Sequence, residues 1–212
     1  MTTPRLFGAS YSVYVRIARL ALEEKGVDYE LVPVDIFDKD KLPADYAQRH
    51  PFLRIPAFEH GTLKLFETAA ITQYVDEAFD GLPLQPSDPR KRALMSQAIG
   101  MLDAYAYRAL VWSVYVERVS KPKQGEASDE ARIAAGLQTA ETCLAVLART
   151  KGQSLWLVGN DLTLADLHAA PIFAYFLRAP EGRAMIAEHP ALEAWWAAVS
   201  SRPSFQATEF DG

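Results

Sequence analysis

Two regions with different hydrophobic patterns divide the chain. The first third alternates short strand-like runs with runs that repeat apolar residues every three or four positions. The signals for strand, helix, strand, strand, strand and helix fall, in chain order, at 5–7, 15–25, 29–34, 57–59, 62–66 and 68–78. Gly26 predicts the end of the first helix. His60-Gly61 predicts a turn that joins the last two strands into a hairpin.

This order of elements, βαβ followed by ββα, predicts a small α/β domain with a mixed four-stranded sheet. A thioredoxin-like arrangement fits the order, and periodicity alone leaves other small α/β folds open. One glycine and three prolines within 80–89 predict a linker. Helical spacing then runs through 90–119, 129–149, 164–177 and 192–200. We therefore expect a thioredoxin-like α/β domain at 1–79, a linker at 80–89 and an all-α helical-bundle domain at 90–212.

Composition narrows the classes of function. The chain has 212 residues and a formal net charge of −5, which argues against a nucleic-acid partner because phosphate binding needs a clustered basic surface. No apolar run approaches the ~18–20 residues that span a bilayer, so we expect no membrane partner and a cytoplasmic location. The single cysteine, Cys143, is expected to be a small buried residue. The four histidines show no metal-ligand spacing, and we expect no metal.

Three turns carry the candidate chemistry. Ser10-Tyr11-Ser12 lies between the first strand and the first helix, Ile55-Pro56 precedes the hairpin, and Glu67-Thr68 opens the helix that follows it. Free backbone N–H groups favour anions at a helix start. From the residues alone, Ser12 and Thr68 are equally well explained as helix N-caps. Thr163-Leu164-Ala165-Asp166 has the spacing of a capping box, for which we expect a structural role.

Four stretches, in the same order along the chain, resemble the glutathione transferase family. They are Leu6-Phe7-Gly8 through Ser12 to Gly26, Pro51-Phe52-Leu53-Arg54-Ile55-Pro56-Ala57, Leu65-Phe66-Glu67-Thr68-Ala69-Ala70-Ile71, and Leu157-Val158-Gly159-Asn160-Asp161-Leu162-Thr163-Leu164-Ala165-Asp166. The spacing from Leu6 to Gly26 is most similar to that of serine-type members, phi-like or related bacterial ones. The resemblance implies a glutathione-binding first domain, a helical second domain and a homodimer.

The resemblance also implies which residue acts on the glutathione thiol. Ser12 aligns with the family serine that points its hydroxyl at the sulfur, while Ser10, Tyr11 and Tyr14 stay open as alternative donors. Phe7 has no hydroxyl, which disfavours the tyrosine-type members that carry theirs in the first strand. No cysteine lies near Ser12, which disfavours thiol–disulfide exchange.

The rest of the tripeptide is assigned by the same resemblance. Ile55-Pro56 implies a cis bond that leaves the Ile55 backbone free to pair with the cysteinyl residue of glutathione. Glu67 is expected to bind the γ-glutamyl ammonium, and Thr68 the γ-glutamyl carboxylate. Lys41 and Arg54 are the expected partners of the glycyl carboxylate.

The second substrate is expected to be a small hydrophobic electrophile. Its expected contacts are Tyr11, Tyr14, Tyr105, Arg108 and Trp112. Arg108 is a candidate for stabilising a developing negative charge. Aromatic residues at helical spacing are equally typical of a packed core, so both interpretations stay open here.

Four positions depart from residues that are frequent in the family. Val13 replaces a proline, His50 an asparagine, Thr68 a serine, and Arg54 a lysine or glutamine. These departures leave the expected fold unchanged and bear only on individual contacts.

The leading prediction is a cytoplasmic, homodimeric glutathione transferase that conjugates the glutathione thiolate to small apolar electrophiles. Glutathione-dependent dehalogenation, isomerisation or peroxide reduction would use the same activated sulfur and stay open. A further alternative is a noncatalytic protein of the glutathione transferase fold that binds ligands or partner proteins.

Overall fold

The structure of this chain is a computed structural model that describes residues 2–38 and 42–209. Two compact units are present. The first unit comprises Met1–Pro83 together with Arg202–Gly212, and the second unit comprises Leu84–Ser201. No helix among the described residues combines the length and the apolar character needed to cross a membrane.

The first unit contains the strands and helices that the sequence predicts. They are β1 (Arg5–Gly8), α1 (Val13–Glu24), β2 (Glu30–Pro33), β3 (Ala57–His60), β4 (Leu63–Phe66) and α2 (Thr68–Ala78). The sheet order is β2-β1-β3-β4, with β2 parallel to β1 and the other two pairs antiparallel. The thioredoxin-like arrangement is therefore confirmed. A short 3-10 helix at Tyr46–Gln48 was not predicted.

Local signals set both ends of α1. At its start, the Ser12 side chain accepts a hydrogen bond from the Val15 N–H. At its end, Gly26 adopts φ +64°, the Gly26 N–H donates to Glu23 O, and the Val27 N–H donates to Leu22 O. This pair of bonds is the Schellman motif, in which glycine is preferred because a side chain is strained at positive φ.

The second unit is helical, as predicted. Its helices are α3 (Pro89–Met101), α4 (Leu102–Ser120), α5 (Glu130–Lys151), α6 (Leu164–Phe176), α7 (Pro180–Ala187) and α8 (Pro190–Ser200). Helix α4 has π-type hydrogen bonding and continues into a short α-helical turn, Lys121–Lys123. Helix α7 was not predicted, because it is eight residues long and buries only Gly182 and Ile186, which is too few for a clear pattern.

A buried carboxylate fixes the start of α6. The predicted capping box is present, with Thr163 at the N-cap and Asp166 as its partner. Asp166 is fully buried, and its two oxygens accept hydrogen bonds from the Thr163 N–H and hydroxyl, the Leu157 N–H and the Trp195 indole N–H, all at 2.8–2.9 Å. These four donors confirm the structural role expected of Asp166.

The C-terminal helix α9 (Pro203–Ala207) belongs to the first unit and packs on α1. The Arg16 guanidinium lies 4.0 Å from the centre of the Phe205 ring and donates to Phe205 O at 2.9 Å. Arg202 forms a two-pronged ion pair with Glu24 at 2.6 Å. The compact units therefore differ at this end from the expected domain boundaries, which place all of 90–212 together. Those boundaries stay a prediction.

Candidate functional site

One row of the sheet brings the three predicted turns to the same edge. Phe7 of β1 is paired with Ala57 of β3, which is paired in turn with Phe66 of β4. After β1 the chain continues into the loop that ends at Ser12. The Ile55-Pro56 turn comes directly before Ala57 of β3, and Glu67 directly follows Phe66 of β4. Sequence positions more than fifty residues apart therefore meet at one edge because of the register alone.

A glycine allows the first two turns to approach closely. A Cβ atom on Gly8 would lie 2.3 Å from Val15 Cγ2 and 3.4 Å from Ile55 Cβ. Any side chain at this position would therefore displace α1 or the segment that carries Ile55. Gly8 thus sets how near the Ser12 turn lies to the cis-proline segment.

Ser12 caps α1, and this role does not exclude the other one that the sequence predicts. Its Oγ accepts a hydrogen bond from the Val15 N–H at 3.4 Å, and its own N–H donates to Ala9 O at 3.0 Å. Accepting a hydrogen bond uses a lone pair of the hydroxyl and leaves its proton available. Ser12 is thus able to cap α1 and still donate to an anion.

The alternative hydroxyls differ in their surroundings. The Tyr11 hydroxyl donates to Asp35 Oδ1 at 2.7 Å, and the Tyr11 ring stacks on Phe37 with centroids 6.2 Å apart. The phenolic proton of Tyr11 is therefore engaged with a carboxylate. Ser10 and Tyr14 are half-buried neighbours of Ser12. The choice of Ser12 over Ser10, Tyr11 and Tyr14 as the donor to the thiol stays a prediction.

The cis-proline expected before the hairpin is present, since the Ile55-Pro56 peptide bond is cis. Ile55 is buried, and β3 begins only at Ala57, so the Ile55 backbone lies outside the sheet pairing. Tyr46 holds the backbone just before Ile55, because its hydroxyl donates to Arg54 O at 2.8 Å. Burial of Tyr46 raises its pKa to about 12.

The first backbone N–H groups of α2 are not capped by the side chain of the N-cap residue. Glu67 is the N-cap, but its side chain makes no capping hydrogen bond, and the first turn holds no acidic residue. Glu67 itself is exposed, whereas Thr68 is buried. Unpaired N–H groups and the helix dipole together favour a carboxylate at this position.

Of the two cations assigned to the glycyl carboxylate, the structure describes Arg54 alone. Arg54 is exposed, and its guanidinium forms no ion pair or hydrogen bond within the described ranges 2–38 and 42–209. Lys41 lies outside the described residues. The departures from the family pattern are accommodated: Val13 and His50 are both buried, at 3% and 4% exposure.

The expected contacts of the second substrate belong to two different units. Tyr11 and Tyr14 are half-buried in the first unit. Tyr105, Arg108 and Trp112 all lie on α4 of the second unit, where Tyr105 is 61% exposed, Arg108 is exposed and Trp112 is half-buried. All five are accessible to a ligand, and their participation in one site stays a prediction.

Sequence reasoning missed two residues of this edge, Tyr46 and Asp35. Tyr46 lies in a polar stretch whose 3-10 helix is too short for a periodic signal, although a fully buried tyrosine in such a stretch is unusual. Asp35 follows β2 by two residues, and nothing local indicates that it accepts from Tyr11. In the part of the chain that the structure describes, no group of His, Cys, Asp and Glu side chains is arranged to hold a metal; the expectation of a metal-free reaction stays a prediction.

Two family models match the chain. One is described as the N-terminal domain of glutathione S-transferase and matches residues 3–77, and the other is described as the C-terminal domain and matches residues 103–203. The chain is 34% identical over 203 residues to a glutathione S-transferase of Hyoscyamus muticus, covering 95% of both chains. It is 32% identical over 204 residues to glutathione S-transferase F13 of Arabidopsis thaliana, covering 95% of this chain and 92% of the relative.

The solved structures agree with the sequence relatives. Maize glutathione S-transferase I in complex with an atrazine glutathione conjugate superposes with a TM-score of 0.86 at 26% identity, covering 98% of this chain and 96% of the maize chain. The match covers residues of both units, so the sequence and the fold indicate the same family.

Proposed function

Since this chain belongs to the glutathione S-transferase family and its relatives are plant phi-class transferases, we propose that Ser12 stabilises a bound glutathione thiolate that attacks a small apolar electrophile. The observation that carries this proposal is the sheet row Phe7, Ala57 and Phe66. This row brings to one edge of the sheet the Ser12 hydroxyl at the start of α1, the Ile55 backbone, and the start of α2 with the Glu67 carboxylate. A tripeptide with one thiol, one ammonium and two carboxylates matches those groups.

The chemistry required is ionisation of the thiol. A thiol with a pKa near ~8.5 is mostly protonated at neutral pH, and the thiolate is the nucleophile. A charge-assisted hydrogen bond contributes roughly 1.5–3 kcal/mol, and a helix N-terminus contributes about 0.3–1 kcal/mol. At 1.36 kcal/mol per unit, the two effects lower the thiol pKa by about 1–3 units. Ser12 acts as a donor and forms no covalent bond.

The two ends of glutathione have separate partners. Glu67 pairs with the γ-glutamyl ammonium, while Thr68 and the first N–H groups of α2 bind the adjacent carboxylate. The Ile55 backbone pairs with the cysteinyl residue. Arg54, whose guanidinium has no ion pair among the described residues, and Lys41 bind the glycyl carboxylate.

The electrophile is proposed to be small and apolar, with Tyr11, Tyr14, Tyr105, Arg108 and Trp112 as its contacts. The maize relative that binds an atrazine conjugate supports an electrophile of this size. Tyrosine and tryptophan offer large apolar faces, and Arg108 offers a positive charge for a leaving group or developing anion.

A cytoplasmic homodimer is proposed as the assembly. Phe52 and Leu53 are adjacent and expose 71% and 46% of their surface, and apolar side chains exposed together are typical of an interface. Sedimentation should show that the wild type is a dimer. The Phe52→Ala variant should contain a larger fraction of monomer. A wild type that is monomeric at micromolar concentration contradicts the proposal. Cell fractionation tests the location.

The test of function compares Ser12→Ala with the neighbouring Ser10→Ala. We expect wild type and both variants to bind a glutathione column. The kcat/KM for chlorodinitrobenzene should fall roughly 10- to 100-fold in Ser12→Ala alone. The pKa of bound glutathione, followed by the ultraviolet absorbance of the thiolate, should rise by about 1–2 units in the same variant.

The other outcomes distinguish the alternatives. A wild type that does not bind glutathione contradicts the proposal. Binding without turnover of any electrophile, unaffected by Ser12→Ala, indicates a noncatalytic protein. Turnover of halides, isomerisable substrates or peroxides with no conjugation indicates a different reaction of the same thiolate. A loss confined to Ser10→Ala moves the hydroxyl donor to Ser10.

A further inference from the structure

His50 contacts two of the segments that meet at the sheet edge, the one that leads to Ile55-Pro56 and the end of β4 before Glu67. Its backbone N–H donates to Tyr46 O at 3.0 Å, and its carbonyl accepts from the Leu53 N–H at 2.9 Å. Its ring packs against Phe66, with centroids 5.0 Å apart, and against the edge of Phe52 at 6.4 Å. The imidazole therefore lies between the chain that runs to Ile55 and the end of β4 that precedes Glu67.

The ring contains a buried polar atom with no partner. His50 is 4% exposed, and its Nδ1 makes no hydrogen bond to any residue within the described ranges. A proton on Nδ1 would bury an N–H group without an acceptor, which is costly. The favoured form is therefore the neutral ring with its proton on Nε2. Forming the imidazolium would require Nδ1 to be protonated where nothing accepts the hydrogen bond.

Among the described residues, two charged groups act on the pKa of the ring in opposite directions. Burial is the main cause that lowers the pKa of His50, the positive charge of Arg54 lowers it further, and the negative charge of Glu67 opposes both. The neighbouring residue Arg49 is directed to Glu59 at 3.0 Å and to Asp45 at 2.6 Å. Glu67 is thus the group that favours an imidazolium at His50.

We infer that His50 is a positioning residue for glutathione: as a neutral ring it holds the Arg54-Ile55 segment against the turn that carries Glu67. This role rests on the proposed function, because Arg54, Ile55 and Glu67 are the residues assigned to the tripeptide. The asparagine that is frequent at this position in the family has no group that titrates near neutral pH, so the pH dependence described next belongs to the histidine.

Glutathione and a proton on His50 oppose each other. Because Nδ1 finds no acceptor within the described ranges, the imidazolium form displaces the ring from its place between Phe52 and Phe66, and the Arg54-Ile55 segment loses the position in which it pairs with glutathione. The pKa of His50 is therefore lower in the complex than in the free protein. Above the pKa of the free protein, His50 is neutral in both states and the affinity does not depend on its protonation. As the pH falls through that pKa, which lies below 6.5, the affinity for glutathione falls.

The experiment measures the affinity for S-methylglutathione, whose sulfur cannot ionise, by calorimetry from about pH 7.5 to about pH 5. It compares wild type, His50→Asn and the matched control His60→Asn, a histidine of β3 whose Nδ1 is 2.8 Å from the Tyr74 hydroxyl. In wild type and His60→Asn the Kd should rise roughly 3-fold or more at the acidic end. In His50→Asn the same rise should be absent.

Two readouts separate positioning from a merely structural role. In His50→Asn, the pH dependence of KM for glutathione should become flat while the pH dependence of kcat, set by the thiol, is kept. In wild type, proton NMR of the His50 ring should show a lower pKa when S-methylglutathione is bound, and this measurement does not depend on a variant that folds.

The outcomes are distinguishable. If the wild type does not bind S-methylglutathione at about pH 7.5, the proposed function is wrong and the role of His50 falls with it. If the wild type binds but His50→Asn shows the same pH profile, the role of His50 alone is wrong. If His50→Asn does not fold, the NMR titration decides, and an unchanged His50 pKa on binding overturns the inference.

Discussion

Glu67 has a backbone conformation that few residues other than glycine adopt, with φ 68° and ψ 115°. Such a conformation costs roughly 1–3 kcal/mol and persists only where the surroundings impose it. Here the residue links the last strand of the sheet to α2, and its carboxylate is not used to cap the helix. The Glu67 carboxylate therefore lies at the start of α2 without capping its first N–H groups.

Two substitutions at this position separate strain from binding. Glu67→Gly should raise the free energy of unfolding by about 1 kcal/mol, because the strain is relieved, and should weaken glutathione binding at least about 10-fold, because the charge is lost. Glu67→Gln should weaken binding similarly with no gain in stability. Urea unfolding and calorimetric titration measure both quantities. Wild-type affinity in both variants would show that Glu67 does not bind the ammonium.

Turn positions were sufficient to identify Ser12, Ile55-Pro56 and Glu67 as candidates, because each lies where a predicted strand or helix begins or ends. The conformation of Glu67 was not predictable, since glutamate carries no preference for positive φ. The roles of Tyr46 and Asp35 depend on hydrogen bonds to Arg54 O and to Tyr11. Contacts of this kind are set by the fold and leave no local pattern.

At the scale of elements, the best-defined helix start is that of α6. The Asp166 carboxylate joins the N-cap of α6 to the preceding loop through Leu157 and to α8 through Trp195. A buried carboxylate is tolerated there because four donors replace its water. Removing it leaves those donors unsatisfied in a dry environment.

Asp166→Ala should lower the free energy of unfolding by about 3–5 kcal/mol, because several buried donors lose their acceptor at once. Asp166→Asn keeps one acceptor oxygen and should cost less, about 1–2 kcal/mol. Denaturant midpoints measure the difference. The exposed Asp161 provides the control, since Asp161→Ala should change stability by no more than about 0.5 kcal/mol. An equal effect of Asp166→Ala and Asp161→Ala would refute the structural role.

Long helices were predicted from sequence and short ones were not. Helix α5 has enough buried positions to give a clear period, whereas α6 is buried along almost its whole length and is marked by a long apolar run after its capping box. Helix α7 and the five-residue α9 each begin with proline, which is a real start signal, but each buries only two residues. A start signal without a periodic face does not distinguish a helix from a turn.

At the scale of the whole chain, its two ends contribute to one unit. Arg16 and Glu24 of α1 bind Phe205, Arg202 and Ser204 near the C-terminus. The paired residues Glu24 and Arg202 are 178 positions apart. No property of the sequence marks such a pair, which is why the expected domain boundaries assign the C-terminal residues to the helical region.

A chain that ends at Ser201 tests how much this segment stabilises the first unit. Burying the Phe205 ring, which is 6% exposed, contributes roughly 2 kcal/mol, so truncation should lower the unfolding temperature of the first unit clearly. Arg202→Ala should have a smaller effect, about 1 kcal/mol, because its ion pair is partly exposed. Scanning calorimetry of the three proteins gives the order. Equal stability of the truncated and full chains would contradict the packing of α9 on α1.

The return of the C-terminus to α1 also fixes an order of events during synthesis. At about 5–20 residues per second, the 178 positions between Glu24 and Arg202 take roughly 10–40 s to translate. Helix α1 therefore waits on the ribosome without its contacts to Phe205 and Arg202 while the whole second unit emerges. The first unit is therefore translated first but completes its packing last. A premature stop codon just before Arg202 would release the chain without the contacts of Arg202 and Phe205 with α1.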